Sequence, residues 1–209
     1  MRNILLNRIT GYVLVLLLTL AGEVFAAETT QEKIVVLALG DSLTAGFGVD
    51  AEENFPSRLQ VKIDNAGLAY KVVNAGVSGD TTAGGVRRIN WLMKHKPQIV
   101  ILALGANDGL RGLSTDEMRS NLETMIRISQ EHGARVLLAG MKALPNYGED
   151  YIIRFESVYP ELAKKYDLVY LPFLLEGVAG VREYTRPDGL HPNGSGYKII
   201  ADLVWQHLQ

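Results

Sequence analysis

The sequence predicts an α/β fold in which a five-stranded parallel sheet is covered by helices on both faces. Five short apolar runs alternate with segments long enough for crossover helices. The runs cover 34–39, 70–73, 99–104, 136–139 and 168–171. Because they are rich in β-branched and aliphatic residues, we expect strands that are buried on both faces. Strands that alternate with helices in this way predict a three-layer α/β/α architecture.

Helix signals lie between and after these runs. Pro56 suits the first turn of a helix, and Ser114 begins a capping sequence before a segment of mixed apolar spacing. Gly133 suits the end of that helix. Apolar residues recur at helical spacing over 196–209, which predicts a last helix. The run 80–82, Asp-Thr-Thr, is expected to cap the helix that follows it.

The first 26 residues have the pattern of a secretory signal peptide. Positive charge at the start is followed by an apolar run over 9–21, and small residues occupy the −3 and −1 positions of a cleavage site after Ala26. The apolar run is shorter than the roughly 20 residues that span a bilayer. We therefore expect a signal peptide over 1–26 and one domain over 27–209, with no stable membrane anchor after cleavage. An uncleaved N-terminal anchor is the alternative.

Composition limits the possible partners. With 21 Lys and Arg against 23 Asp and Glu, the net charge is -2, so the basic face typical of nucleic-acid binding is not expected. The sequence contains no cysteine, which excludes disulfides, a thiol nucleophile and a thiolate metal site. Export without disulfides fits a bacterial periplasm or the medium. We expect a monomer that needs no cofactor and no metal.

Polar, glycine-rich loops follow the first three predicted strands. The first strand leads into Ser42, the second into Gly79 and the third into Asn107. Ligands of a parallel α/β sheet bind in the crevice beyond the carboxyl ends of its strands. We therefore expect the three loops to converge on one site.

The residues of these loops, with one later loop, could perform acyl transfer. Ser42 follows a buried strand, where the preceding Gly40 allows a sharp turn that exposes the hydroxyl, so it is the best candidate nucleophile. Three of the four histidines fall within or at the ends of predicted helices. His191 instead lies in a loop with Pro and Gly on both sides, three residues after Asp188. His191 would take the proton of Ser42 while Asp188 accepts a hydrogen bond from the other ring nitrogen.

Three donors could stabilise the oxyanion of such a reaction. They are the backbone N–H groups of Ser42 and Gly79 and the side-chain amide of Asn107. If His191 is the base, the rate should fall as its ring becomes protonated.

Four blocks of the sequence match, in order, the motifs of the SGNH, or GDSL, hydrolase superfamily. They are Gly40-Asp41-Ser42-Leu43, Ser78-Gly79-Asp80, Gly105-Ala106-Asn107-Asp108 and Asp188-Gly189-Leu190-His191. The resemblance covers nearly all of 27–209 and is greatest to the bacterial periplasmic thioesterase I, lysophospholipase L1 and arylesterase group. Ala106 departs from the Gly-Gly-Asn-Asp of that group, and its methyl is expected to narrow the pocket slightly.

The resemblance implies a flavodoxin-like sheet and a serine hydrolase mechanism through an acyl-enzyme. Carried over, the triad is Ser42, Asp188 and His191, and the oxyanion hole is Ser42, Gly79 and Asn107. The implied substrates are small-molecule esters, thioesters or lysophospholipids with short to medium acyl chains. Apolar residues near the site, Leu43, Leu110, Leu113 and Leu144, agree with acyl binding.

Other interpretations remain open at this point. A carbohydrate O-acetyl esterase would use the same motifs. Asp41, Asp108, Asp188 and His191 could instead bind a divalent metal in a phosphoesterase, although metal-ligand spacing is lacking. A non-catalytic binding protein would use the same crevice. We assign Asp41 and Asp108 to hydrogen bonding within the loops rather than to chemistry.

Overall fold

Residues 33–208 are described by a computed structural model, so the expected signal peptide and its cleavage site lie outside the described residues. The strands are β1 (Ile34–Gly40), β2 (Tyr70–Gly76), β3 (Ile99–Ala103), β4 (Arg135–Ala139) and β5 (Val169–Leu171). The helices are α1 (Ser42–Ala45), α2 (Phe55–Asn65), α3 (Thr82–Leu92), α4 (Ala106–Leu110), α5 (Thr115–Glu131), α6 (Glu149–Tyr166) and α7 (Gly194–Leu208). Short 3₁₀ turns cover Met93–His95 and Pro145–Tyr147.

The five strands form one parallel sheet in the order β2-β1-β3-β4-β5. The helices pack in two groups, α2 with α7, and α5 with both α3 and α6, and the sheet lies between them. The predicted α/β fold is confirmed, and the strand order is the flavodoxin-like one implied by the family resemblance.

Burial differs between the central and the edge strands. All but the first residues of β1, β3 and β4 are buried, as expected of strands covered on both faces. The expectation of full burial was wrong for β2 and β5, whose residues are mostly only partly buried. Both are edge strands, so each has one side without a neighbouring strand.

The predicted helix signals have clear structural counterparts. Pro56 lies in the first turn of α2, and Ser114 caps α5 by accepting a hydrogen bond from the Glu117 N–H at 3.3 Å. Gly133 adopts a positive φ of 80° directly after the α5 cap, and α7 begins two residues before the predicted start. The predicted side-chain cap of α3 was wrong. Thr81 occupies the cap position without a side-chain hydrogen bond, and the Asp80 carboxylate pairs with Arg88 instead.

Two glycines allow α1 to fold back over the end of the sheet. A side chain at Gly40 would collide with the Thr44 side chain, and one at Gly76 would collide with the backbone of Ala45. Both positions therefore need a residue without a Cβ. This close approach holds Ser42, the first residue of α1, at the carboxyl edge of the sheet. Within residues 33–208, no helix is both long enough and apolar enough to cross a bilayer.

Candidate active site

Ser42 is the first residue of α1, and only Asp41 separates it from the end of β1. Asp41 caps this short helix, because its Oδ1 accepts a hydrogen bond from the Leu43 N–H at 2.9 Å. The hydroxyl of Tyr197 in α7 donates to the Ser42 carbonyl at 3.3 Å. The Asp41 cap and the Tyr197 hydrogen bond together fix the backbone around Ser42. The side chain of Ser42 is only partly buried.

The structure brings Ser42, His191 and Asp188 into one hydrogen-bonded chain. Ser42 Oγ lies 3.0 Å from His191 Nε2, and His191 Nδ1 lies 2.9 Å from Asp188 Oδ2. With Asp188 ionised, Nδ1 is the donor to it, so Nε2 is left to accept the hydroxyl proton of Ser42. This is the relation that the sequence analysis expected of these three residues.

The loop that carries Asp188 and His191 is closed on itself. The Arg186 N–H donates to the His191 carbonyl at 2.8 Å, and Thr185 pairs with Pro192 in an antiparallel bridge. Asp188 Oδ1 accepts from the N–H groups of Leu190 and His191, each at 2.9 Å. These backbone hydrogen bonds lower the pKa of Asp188 to about 2, so the carboxylate is ionised whenever the histidine is functional.

Asn107 reaches the same place from the second position of α4. Its Nδ2 lies 3.0 Å from the Asp80 carbonyl oxygen and 3.3 Å from Asp41 Oδ2. Gly79, the residue before Asp80, adopts a φ of 79°, and its carbonyl accepts a hydrogen bond from Arg111 at 2.8 Å. Asn107 therefore lines the cleft beside Ser42. Gly79 directly precedes Asp80, whose carbonyl oxygen accepts the hydrogen bond from Asn107.

Arg88 joins the loops on the side away from the cleft, and no motif in the sequence predicts a role for it. From α3 it pairs with Asp80 at 2.8 Å and donates to the carbonyl oxygens of Gly40, at 2.8 Å, and Ala75. One side chain thus ties together the ends of β1 and β2 and the loop that holds Asn107.

A mainly apolar cleft of about 480 Å³ opens beside Ser42, Asn107 and His191. Its larger apolar side chains are Leu43, Leu110, Met141, Leu144, Phe173 and Leu175. Of the four apolar residues expected near the site, Leu113 does not line this cleft. The loops after β4 and β5 supply Met141, Phe173 and Leu175. Applying the strand-end rule to all five strands, rather than to three, would have found them.

Phe47 is a second residue that the sequence analysis missed. Its ring is 47% exposed, and its centroid lies 4.7 Å from that of the His191 ring at a tilt of 44°. The Arg186 guanidinium lies 5.9 Å from the centre of the same ring and donates to the Gly48 carbonyl. The His191 ring therefore has an aromatic neighbour in addition to Asp188.

The three carboxylates that could have bound a divalent metal each make different hydrogen bonds within the protein. Asp108 turns towards α3, where its two oxygens accept from the Thr82 N–H at 2.9 Å and the Thr82 hydroxyl at 2.6 Å. Asp41 caps α1, and Asp188 orients His191. In the part of the chain that the structure describes, no three His, Cys, Asp or Glu residues are grouped as metal ligands. Asp41 and Asp108 have the hydrogen-bonding roles that the sequence analysis assigned to them.

Burial strongly affects Asp41, which is fully inaccessible to solvent. Burial raises the pKa of this carboxyl from 3.8 to about 6, although hydrogen bonds from the Leu43 N–H and Asn107 oppose the shift. Because the native pKa is the higher one, Asp41 contributes stability at low pH that is lost as the pH rises through about 6.

Replacement of Asp41 by Asn should remove this pH dependence. From about pH 4 to about pH 7, the free energy of unfolding of the wild type should fall by up to about 3 kcal/mol relative to that of Asp41→Asn. Urea unfolding at several pH values measures both. Asp64→Asn, which removes an exposed carboxylate from α2, is the control. Equal pH dependence in the wild type and Asp41→Asn would contradict the role of burial.

Known proteins are similar to this chain in sequence. Residues 38–199 match the model of the GDSL-like lipase/acylhydrolase family. The chain is 40% identical to the arylesterase of Vibrio mimicus, over 88% of this chain and 91% of the relative. It is 37% identical to thioesterase 1/protease 1/lysophospholipase L1 of Escherichia coli K12, over 83% of each chain.

A solved structure agrees with these relatives. The crystal structure of TesA superposes with a TM-score of 0.81 at 39% identity, covering 84% of this chain and 98% of that one. The chain therefore belongs to the GDSL-like lipase/acylhydrolase family.

Proposed function

We propose that this protein is a serine hydrolase that cleaves carboxylic ester and thioester bonds through an acyl-enzyme. The observation that carries the proposal is the Ser42–His191–Asp188 chain of contacts at the polar end of an apolar cleft. Family membership supports it, because relatives at 37% and 40% identity are named as a thioesterase/lysophospholipase and an arylesterase.

In the first half of the reaction, Ser42 Oγ attacks the acyl carbon while His191 Nε2 removes its proton. The bond from the acyl carbon to the leaving oxygen or sulfur breaks, and His191 gives the proton to that atom. Water then attacks the acyl-enzyme with His191 again as base. Asp188 stabilises the imidazolium that forms in each half, and its lowered pKa keeps it ionised for this purpose.

Stabilisation of the oxyanion is assigned to the N–H groups of Ser42 and Gly79 and to Asn107 Nδ2. The amide of Asn107 is already held by the Asp80 carbonyl at 3.0 Å. Its longer contact, 3.3 Å to Asp41, is the one that we expect the oxyanion to replace. Donors fixed before the reaction need no reorganisation as negative charge develops.

The shape and polarity of the cleft support short to medium acyl chains. A volume of about 480 Å³ is far more than an acetyl group needs, and most of the lining is apolar. An acyl chain in contact with Leu110, Leu144 and Phe173 would gain hydrophobic stabilisation with each methylene it buries. Aryl esters, thioesters and lysophospholipids are the proposed substrates, as the names of the relatives suggest.

The proposal includes export. A signal peptide over 1–26 would direct a monomeric enzyme of residues 27–209 to the periplasm or the medium, without a stable membrane anchor. The charged start, apolar run and small residues before the cleavage site support this.

Hydrolysis of p-nitrophenyl butyrate by purified wild type and Ser42→Ala, each with and without EDTA, tests the serine mechanism. We expect the wild type to be active in EDTA and Ser42→Ala to lose on the order of 10⁴-fold or more in kcat, because the nucleophile is gone. Circular dichroism should show that the variant is folded.

Two outcomes would contradict the proposal. Activity that is lost in EDTA but kept in Ser42→Ala would favour a metal-dependent enzyme. If acetylated sugars were hydrolysed while p-nitrophenyl acetate, butyrate and octanoate, acyl-CoA and lysophospholipid were all inert, a carbohydrate O-acetyl esterase would be favoured instead.

We expect Arg88 to affect the rate of hydrolysis, although its side chain binds the loops and does not line the cleft. Removing its side chain in Arg88→Ala frees the loop whose carbonyl holds Asn107, so kcat for p-nitrophenyl butyrate should fall about 10- to 100-fold with a smaller change in KM. Arg88→Lys should recover part of the loss, because it keeps the charge beside Asp80.

The neighbouring Arg87 provides the matched control, since it is exposed and makes no side-chain hydrogen bond among the described residues. Thermal unfolding identifies loss of the fold. A folded Arg88→Ala variant with the kcat of Arg87→Ala would show that Arg88 does not position the oxyanion donors.

A further inference from the structure

A second recess, of about 470 Å³, adjoins the apolar cleft. It is lined by Gly180, Arg182, Thr185, Arg186, Pro187 and Gly189. Gly180 and Gly189 line the apolar cleft as well, so the two spaces share a boundary. One end of the shared boundary is thus two residues from His191.

The recess is basic, and its charges are not neutralised by the protein. Among residues 33–208, no carboxylate oxygen lies within 4.0 Å of the guanidinium nitrogens of Arg182 or Arg186. The adjacent Glu183 therefore pairs with neither arginine. Asp188, the other nearby acid, directs its oxygens to the N–H groups of Leu190 and His191 and to the His191 ring.

Both arginines have donors to offer. Arg182 is exposed and makes no side-chain hydrogen bond within the described residues. Arg186 makes one, from Nη1 to the Gly48 carbonyl, which leaves Nη2 as its free donor. Its Nε has no partner but is buried, so it offers nothing to a ligand in the recess. Because the Arg186 N–H binds the His191 carbonyl at 2.8 Å, the backbone of Arg186 is held in a fixed relation to His191.

The position of the recess relates it to the leaving group. With the acyl chain in the apolar cleft, His191 Nε2 must face both Ser42 Oγ and the departing oxygen or sulfur. The rest of the leaving group then extends past His191, and the recess begins two residues away at Gly189. A leaving group that carries an anion would meet two guanidinium groups there.

We propose that Arg182 and Arg186 form a leaving-group subsite for phosphate-bearing alcohols and thiols, an inference that rests on the proposed serine hydrolase function. Guanidinium groups bind phosphate through charge-assisted hydrogen bonds. The phosphate comes either from the head group of a lysophospholipid or from a nucleotide thiol such as coenzyme A. Neutral leaving groups gain nothing from the subsite, while the acyl transfer to Ser42 is the same for both kinds of substrate.

Two pairs of substrates isolate the phosphate. Octanoyl-CoA and S-octanoylpantetheine share the thioester, the acyl chain and the whole pantetheine arm, but only the first carries the phosphate groups and the nucleoside joined to them. 1-Octanoyl-lysophosphatidylglycerol and 1-octanoylglycerol form the corresponding ester pair, used as monomers. The measured quantity is the ratio of kcat/KM for the phosphate-bearing substrate to kcat/KM for its neutral partner.

We expect Arg182→Gln to lower this ratio about five- to tenfold and Arg182→Glu to lower it further, because a positive charge is removed or reversed. Added NaCl should lower the ratio of the wild type more than that of Arg182→Gln, since salt screens exposed charges. Arg135→Gln is the matched control. It removes an exposed arginine at the first residue of β4, the end of that strand away from the site, and should leave the ratio unchanged.

The two pairs distinguish the sources of phosphate. A lowered ratio for the thioester pair alone assigns the subsite to a nucleotide thiol, and one for the ester pair alone assigns it to a lipid head group. If Ser42-dependent hydrolysis of the neutral substrates is intact but neither Arg182 variant changes either ratio relative to Arg135→Gln, the subsite is wrong and the proposed function stands. If hydrolysis of the neutral substrates survives in Ser42→Ala, the proposed function fails, and the subsite fails with it.

Discussion

The register of the parallel strands at the carboxyl edge of the sheet is the constraint on which the site depends. Gly40, the last residue of β1, lies level with Gly76 of β2 and Ala103 of β3. The chain therefore leaves three adjacent strands at one height, so the loops that follow reach the same point. Because β1 lies between β2 and β3, connections run in opposite directions from it, which opens the crevice where ligands of such sheets bind.

Holding these loops together requires polar groups that a core normally excludes. Asp41 and Asp108 are both buried, and burial raises the pKa of each carboxyl. Each accepts a hydrogen bond from a different part of the site: Asp41 from Asn107, and Asp108 from Thr82. At neutral pH these carboxylates cost folding free energy, and the same contacts fix the relative positions of the loops. The fold is thus less stable at neutral pH, but the loops at the proposed active site are held in fixed positions.

Sequence patterns predicted the architecture because burial on both faces of a sheet imposes a local composition. They failed at β2 and β5, where an edge position leaves most residues only partly buried and the composition does not reveal which strands are at the edges. The candidate site was predictable where a residue's role depends on its place after a strand, as for Ser42 and Asn107. The roles of Arg88 and Phe47 could not be predicted from the sequence, because each meets its partner only in the folded chain. Arg88 pairs with Asp80, and Phe47 packs against His191. Arg182 and Arg186 resembled ordinary surface charges until the recess beside them was visible.

Covalent labelling of Ser42 is the sharpest test of its role as the nucleophile. Diethyl p-nitrophenyl phosphate transfers its phosphoryl group to an activated serine, leaving an adduct with the tetrahedral shape of the acyl-transfer intermediate. After incubation of the wild type and Ser42→Ala, digestion and mass spectrometry would locate the adduct. We expect one diethylphosphoryl group on Ser42, formed in step with the loss of ester hydrolysis, and no adduct in Ser42→Ala. Complete inactivation with the adduct on another residue, or with Ser42 unmodified, would contradict it.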